Sequence, residues 1–175
     1  GNLLPLASTA KHIVVIGGHA DKGVLAGGGS SLVYPGDGSD GHNPVPGLKP
    51  TSWPGPVMFY PSSPLDELRK ALPGATIDYA DGSDPAAAAR LAKGADMAVV
   101  FATQWTGESF DVSLTLPDKQ DALIDAVAAA NRNTAVVLET GGPVLMPWNG
   151  KVKAVLEAWF PGRMGGLAIA DLLTG

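Results

Sequence analysis

The chain has 175 residues, with 12 lysines and arginines against 17 aspartates and glutamates, a net charge of −5, no cysteine and 45% hydrophobic residues. That length fits one domain with a substantial core, and the acidic balance argues against nucleic-acid backbones and acidic lipid surfaces as partners. Zero cysteine excludes disulfides, thiolate zinc sites and a cysteine nucleophile, and the apolar runs fall far short of the roughly 20 residues that a membrane-spanning helix needs.

The opening Gly1-Asn2-Leu3-Leu4-Pro5-Leu6 has no methionine, basic n-region or apolar h-region. It reads as neither a natural start nor a signal peptide, so the chain is expected to be a piece of something longer. Lys11 to Gly18 is a continuous β-branched run ended by glycines, the pattern of a central parallel strand buried on both faces. Residues 17–63 then hold most of the glycine and proline clusters and read as one long irregular segment, of a length more often used for lids or binding loops than as filler.

From residue 64 the spacing predicts helices alternating with strands. Ser63 and Pro64 are an N-cap and first helical residue for a helix over 64–72, with leucines at 65, 68 and 72 on one face; a strand over 75–80 follows. Asp84-Pro85 opens an alanine-rich helix to Lys93, and Asp96 to Ala102 is a second fully apolar strand. Pro117 to Arg132 reads as the next helix and Thr134 to Glu139 as the next strand. Two last helices are expected over 152–160 and 165–173, with the closing strand of the sheet absent. The predicted class is α/β, a three-layer α/β/α sandwich with a mainly parallel sheet.

In such sheets ligands gather beyond the carboxyl ends of the strands. After the first strand come Gly17-Gly18-His19-Ala20-Asp21 and Gly27-Gly28-Gly29-Ser30-Ser31. The glycines lack both the G-x-G-x-x-G and the P-loop spacings, so a nucleotide site is disfavoured. His19 and Asp21, two apart, would point the same way in an extended segment, either toward a sugar hydroxyl or to bond the loop backbone. His12 and His42 show no metal-ligand spacing with them, so no metal is expected. After the 96–102 strand come Trp105, Glu108, Phe110 and Asp111, two carboxylates beside two aromatics. Aromatics stack on sugar faces and exclude water, which raises a carboxyl pKa toward what a general acid needs. The alternative makes Asp111 a turn-former and Glu108 a solvated loop acid. Glu139 closes a buried strand, a place that suits pairing rather than catalysis, and Trp148 and Trp159 read as packing residues beside Val152 and Val155. No G-x-S-x-G elbow is present.

Taken together, Ile16 to Asp21, Gly27 to Ser31, Gly107 to Asp111 with Leu114, Leu116 and Pro117, Gln120 to Ile124, Gly141 to Trp148 and Glu157 to Gly162 resemble, in order, the C-terminal α/β sandwich domain of glycoside hydrolase family 3, the β-glucosidase family. The resemblance implies that residues 1–10 are the remnant of an interdomain linker and 11–175 the domain itself. It implies a retaining mechanism without a cofactor, in which Glu108 is the acid/base and an aspartate on an N-terminal barrel domain is the nucleophile. The substrate would be a β-glucoside or oligosaccharide, contacted by His19, Asp21, Gly29, Ser30, Trp105 and Asp111. The family's G-E-G-x-D-R pattern is met here with Ser109 for the second glycine and Val112 for the arginine. Family analogy places the enzyme in the periplasm or outside the cell. A non-catalytic carbohydrate-binding or interaction module is the alternative.

Overall fold

A computed structural model describes residues 3–7, 9–32 and 43–175. His42 and the first two residues of the linker-like start lie outside the described residues. In chain order the elements are β1 (His12–Gly17), β2 (Val24–Ala26), β3 (Asn43–Pro44), β4 (Met58–Tyr60), α1 (Pro64–Ala71), β5 (Thr76–Ala80), α2 (Pro85–Lys93), β6 (Met97–Gln104), α3 (Gln120–Ala130), β7 (Thr134–Thr140), β8 (Ala154–Glu157) and α4 (Gly165–Thr174).

The main sheet has the order β5-β1-β6-β7-β8, parallel throughout. Alternate residues of each strand feed two cores. Ile13, Val15, Val99, Phe101 and Val137 meet Leu65 and Leu68 of α1 and Ile169 and Leu173 of α4. Val14, Ile16, Val100, Ala102 and Val136 meet Ala88 and Ala92 of α2 and Leu123, Ile124 and Val127 of α3. This is the three-layer sandwich that the apolar runs predict, since strands covered on both faces leave no polar side.

The helix ends follow their sequence signals. Ser63 Oγ accepts the Asp66 N–H at 3.1 Å at the head of α1, and Asp84 Oδ1 accepts the Ala86 and Ala87 N–H groups at 2.9 and 3.1 Å at the head of α2. Helix α3 begins at Gln120 rather than Pro117, because Asp118 and Lys119 take positive φ values of 55° and 59° that a helix cannot hold.

Two expectations fail. The segment 152–160 is not a helix: it contains β8, parallel to β7, with Ala154, Leu156 and Ala158 facing one core and Val155 the other. That alternation of period two, over a run too short to distinguish by its apolar content, is a strand pattern. The segment 17–63 is not simply irregular, for β2, β4 and β3 form a small antiparallel sheet, and its Leu25 and Phe59 build a third core with the flanking Val45 and Val57. Within residues 1–10, Leu3 and Leu6 are buried in the main core, and the Leu6 N–H donates to Leu173 O at 2.6 Å.

The topology locates the site. From β1 the chain passes through α1 on one face to β5, then through α2 on the other face to β6 on the far side of β1. The loops after β1 and β6 therefore diverge and leave a crevice at that switch. Gly18, at φ +54°, lets them start close together: a Cβ there would stand 2.5 Å from Phe101 Cβ.

Candidate active site

Two strand-end loops meet above this crevice. Gly28 and Gly107 form an isolated parallel bridge, and the Gly28 N–H donates to Thr106 O at 3.1 Å. Glu108 follows directly, and its Oε2 accepts the Ser30 N–H at 3.0 Å. Gly29 makes this approach possible. Its φ is +74°, and a Cβ on it would overlap Glu108 Cβ. The turn is closed by the Phe110 N–H to Gly107 O at 3.0 Å and by Thr106 Oγ1 to Phe110 O at 2.9 Å. Ser109 takes φ +59°, the left-handed conformation that explains why the family pattern carries glycine at that place.

Glu108 is exposed, and the Ser30 hydroxyl and amide beside it hold its pKa below the usual glutamate value. The sequence reading of a water-poor, proton-bearing carboxyl is thus corrected for this chain. The two aromatics do not enclose it. Trp105 and Phe110 stack edge-on upon each other, with ring centroids 5.3 Å apart. They form one wall of a cleft of about 550 Å3 whose other walls include His19, Phe59, Gln104 and Leu116. Glu108 and Ser30 are not among its lining residues, so the carboxylate lies outside this cleft.

The remaining candidates separate. His19 has φ +52°, so the segment is a turn and not extended, and His19 and Asp21 part company. His19 rests on Phe59 with ring centroids 4.8 Å apart, and burial lowers its pKa, which favours the neutral imidazole. Exposed Asp21 accepts the Tyr79 O–H at 2.8 Å, and burial of the phenol together with that bond drives the Tyr79 pKa far up. Asp111 is exposed and makes no hydrogen bond among the described residues.

Sequence reasoning missed the two amides that hold the loop. Gln120 pairs with the backbone of Thr103, accepting its N–H and donating to its carbonyl, both at 2.8 Å. Gln104, buried at the end of β6, donates to Ser113 O at 2.6 Å. The available signal was a polar residue closing an otherwise apolar strand, since a buried amide there must find backbone partners.

The tryptophans also divide. Trp148 is fully buried, with Nε1 donating to Asp121 Oδ1 at 2.7 Å, as a packing residue should be. Trp159 is corrected: it is 56% exposed, at φ +55°, with its N–H held by Glu157 Oε1 at 2.9 Å.

Glu139, read as a paired group, is fully buried with neither carboxylate oxygen hydrogen-bonded to a described residue. Burial pushes its pKa well up; the nearby Leu25 amide opposes this weakly and the Glu157 charge adds to it. A carboxyl whose pKa is raised by folding binds its proton more tightly in the native state. Stability is therefore highest below the unfolded glutamate pKa and falls as pH rises from there toward the native value, by up to about 1.4 kcal/mol per pH unit. Glu139→Gln should flatten that decline, and thermal melts from pH 4 to pH 9 would show the variant gaining on the parent chain as pH rises.

Known proteins share the fold and show the family. The model for the glycosyl hydrolase family 3 C-terminal domain matches residues 1–175. A beta-glucosidase of Rhizobium radiobacter is 52% identical over 73 residues, 41% of this chain and 9% of the relative. Beta-glucosidase B of Emericella nidulans is 53% identical over 91 residues, 49% of this chain and 11% of the relative. Among solved structures, a beta-glucosidase from Streptomyces venezuelae in complex with D-glucose matches with a TM-score of 0.77 and 25% identity, over 98% of this chain and 34% of that one. The family 3 beta-glucosidase of Bifidobacterium adolescentis matches with a TM-score of 0.67 and 32% identity, over 98% and 24%. The match thus spans between about a tenth and a third of the length of these relatives. A strand-end carboxylate on a glycine-built loop, in a sandwich matched over its whole length, places this chain among the C-terminal domains of glycoside hydrolase family 3.

Proposed function

We propose that this chain is the acid/base-bearing domain of a retaining β-glucosidase, with Glu108 as the proton donor to the departing glycosidic oxygen. The nucleophile is an aspartate on an N-terminal barrel domain, and the substrate is a terminal β-glucoside. The observation that carries this reading is the Glu108 carboxylate, fixed by the Ser30 amide at the carboxyl rim of the sheet and open on its outer side.

Retaining chemistry needs two carboxyl groups about 5–5.5 Å apart, so the second must come from a body that covers this rim. Several exposed apolar side chains lie there, in the loops after β6, β7 and β8: Phe110, Leu114, Leu145, Met146, Trp159 and Met164. Such a patch suits a protein interface. Covering it also reverses the electrostatics. Removal of water and a neighbouring carboxylate both raise a glutamate pKa, which turns the lowered value of the open domain into that of a proton donor.

In this reading Gly29 and Ser30 act on substrate through the carboxylate they position. Asp111, without a partner among the described residues, is offered to a sugar hydroxyl, while Trp105 and His19 shape the adjoining cleft. Asp21, tied to Tyr79, has the most remote role of the proposed contacts. By family analogy the enzyme works in the periplasm or outside the cell.

The test joins the chain to a family 3 barrel domain and follows hydrolysis of an aryl β-glucoside. The isolated chain should be inactive and the joined protein active; an inactive joined protein that folds correctly rejects the proposal. Saturable binding of glucose or cellobiose by the isolated chain would identify a carbohydrate-binding module instead.

A further inference from the structure

At the opposite end of the sheet, where the parallel strands begin, lies a cavity of about 760 Å3. Lys11 before β1, Lys93 at the end of α2, Arg132 between α3 and β7 and Lys153 before β8 all border it. Asp96 is the one acid among its lining residues, so four positive charges face one negative in a protein whose net charge is −5.

An ordinary reason for cations here would be the partial negative charge of the carbonyl end of α2. The hydrogen bonds assign that task elsewhere. Ala92 O and Ala95 O accept from Asn131 Nδ2 at 2.9 and 2.8 Å, Asp96 O accepts from Asn133 Nδ2 at 3.0 Å, and Gly94 O lies 3.2 Å from His12 Nδ1. None of the four cations forms a salt bridge among the described residues, and Lys153 bonds only the neutral amide of Asn133. Elsewhere Arg69, Lys70 and Lys151 each have an acidic partner. Asp96, its Oδ2 held by the Lys11 and His12 N–H groups at 2.8 and 3.0 Å, offsets one of the four charges and leaves an excess of three.

We propose that this cavity binds an oligophosphate, a linear run of phosphoryl groups. The four cations come from four separate connections around a space much wider than one phosphate, so a chain of anionic groups can engage them together. Arg132 offers a bidentate fork and the lysines offer point charges, the usual division in phosphate recognition. Among the described residues no aromatic side chain lines the cavity to stack on a base, which favours an inorganic oligophosphate over a nucleotide.

Titration calorimetry of the 175-residue chain with sodium tripolyphosphate at low ionic strength tests this. Saturable 1:1 binding is expected, at least tenfold tighter than for orthophosphate and weakened by added salt. Lys93→Gln with Arg132→Gln should lower the affinity at least tenfold, while Lys22→Gln with Lys119→Gln, which removes the same charge at the other end of the sheet, should change it less than twofold. All four side chains are exposed, so the melting temperatures should stay close to that of the parent. The pair Lys11→Gln with Lys153→Gln provides a second, independent loss of affinity. Absence of saturable binding, equal affinity for orthophosphate, or equal losses in the cavity and control variants would overturn the proposal.

Discussion

Glu108→Gln in the complete enzyme should reduce hydrolysis of an alkyl β-glucoside by about 10²–10⁴-fold, the range that a positioned general acid contributes. The loss should be smaller for aryl glucosides whose leaving groups depart without protonation, because there only the later deprotonation of water still needs the group. Stability should hardly change, since the side chain is exposed and is held only by the Ser30 amide and hydroxyl among the described residues. The amide of glutamine keeps a carbonyl to accept that N–H, so the loop geometry survives the substitution. Steady-state rates on a leaving-group series, with a melting curve alongside, check both halves. Undiminished turnover of the alkyl substrate would remove Glu108 from the chemistry.

Gly29→Ala should come close to the same loss without touching the carboxylate. The position has φ +74°, where an L side chain is strained by roughly 1–2 kcal/mol. The added methyl would also overlap Glu108 Cβ, and the nearest atoms include the Glu108 backbone nitrogen at 3.0 Å, which cannot swing aside as a side-chain tip can. The loop must shift, and a displacement near 1 Å at a reacting group costs on the order of 10²-fold. A drop in kcat with a nearly unchanged KM for the sugar would show that Gly29 acts by positioning Glu108. A rise in KM alone would instead make it a binding residue.

The strands over 12–17, 97–104 and 134–140 were legible because burial on both faces leaves unbroken β-branched runs, a signal that survives without tertiary information. The helices at 64 and 85 were legible because Ser63-Pro64 and Asp84-Pro85 carry their own start signals. What was lost depended on contacts across the chain. Val152 to Phe160 is short, and its apolar residues fit a helical face nearly as well as a strand; only pairing with β7 decides between them. The small sheet of β2, β3 and β4 joins segments separated by long connections, and such pairings leave little local trace.

Within the site, the loop carrying Glu108 was visible from its residue types, and the resemblance added the role. The environment was not visible. Aromatics adjacent in sequence to a carboxylate turned out to stack on each other, and Ser30, 78 residues away, supplies the group that sets its protonation. Trp159 was misread for a similar reason, because its positive φ turns outward a ring whose neighbour Phe160 packs with the third core.

The bond between Leu6 and Leu173 joins the first described segment to the last helix, at the end of the sheet away from Glu108. A Cβ built on Gly175 would also stand 3.1 Å from Pro5 Cβ, so these two stretches lie side by side. For the same reason, linking these two points by a short connector and opening the chain at an exposed turn should yield a permuted protein with the same sheet order.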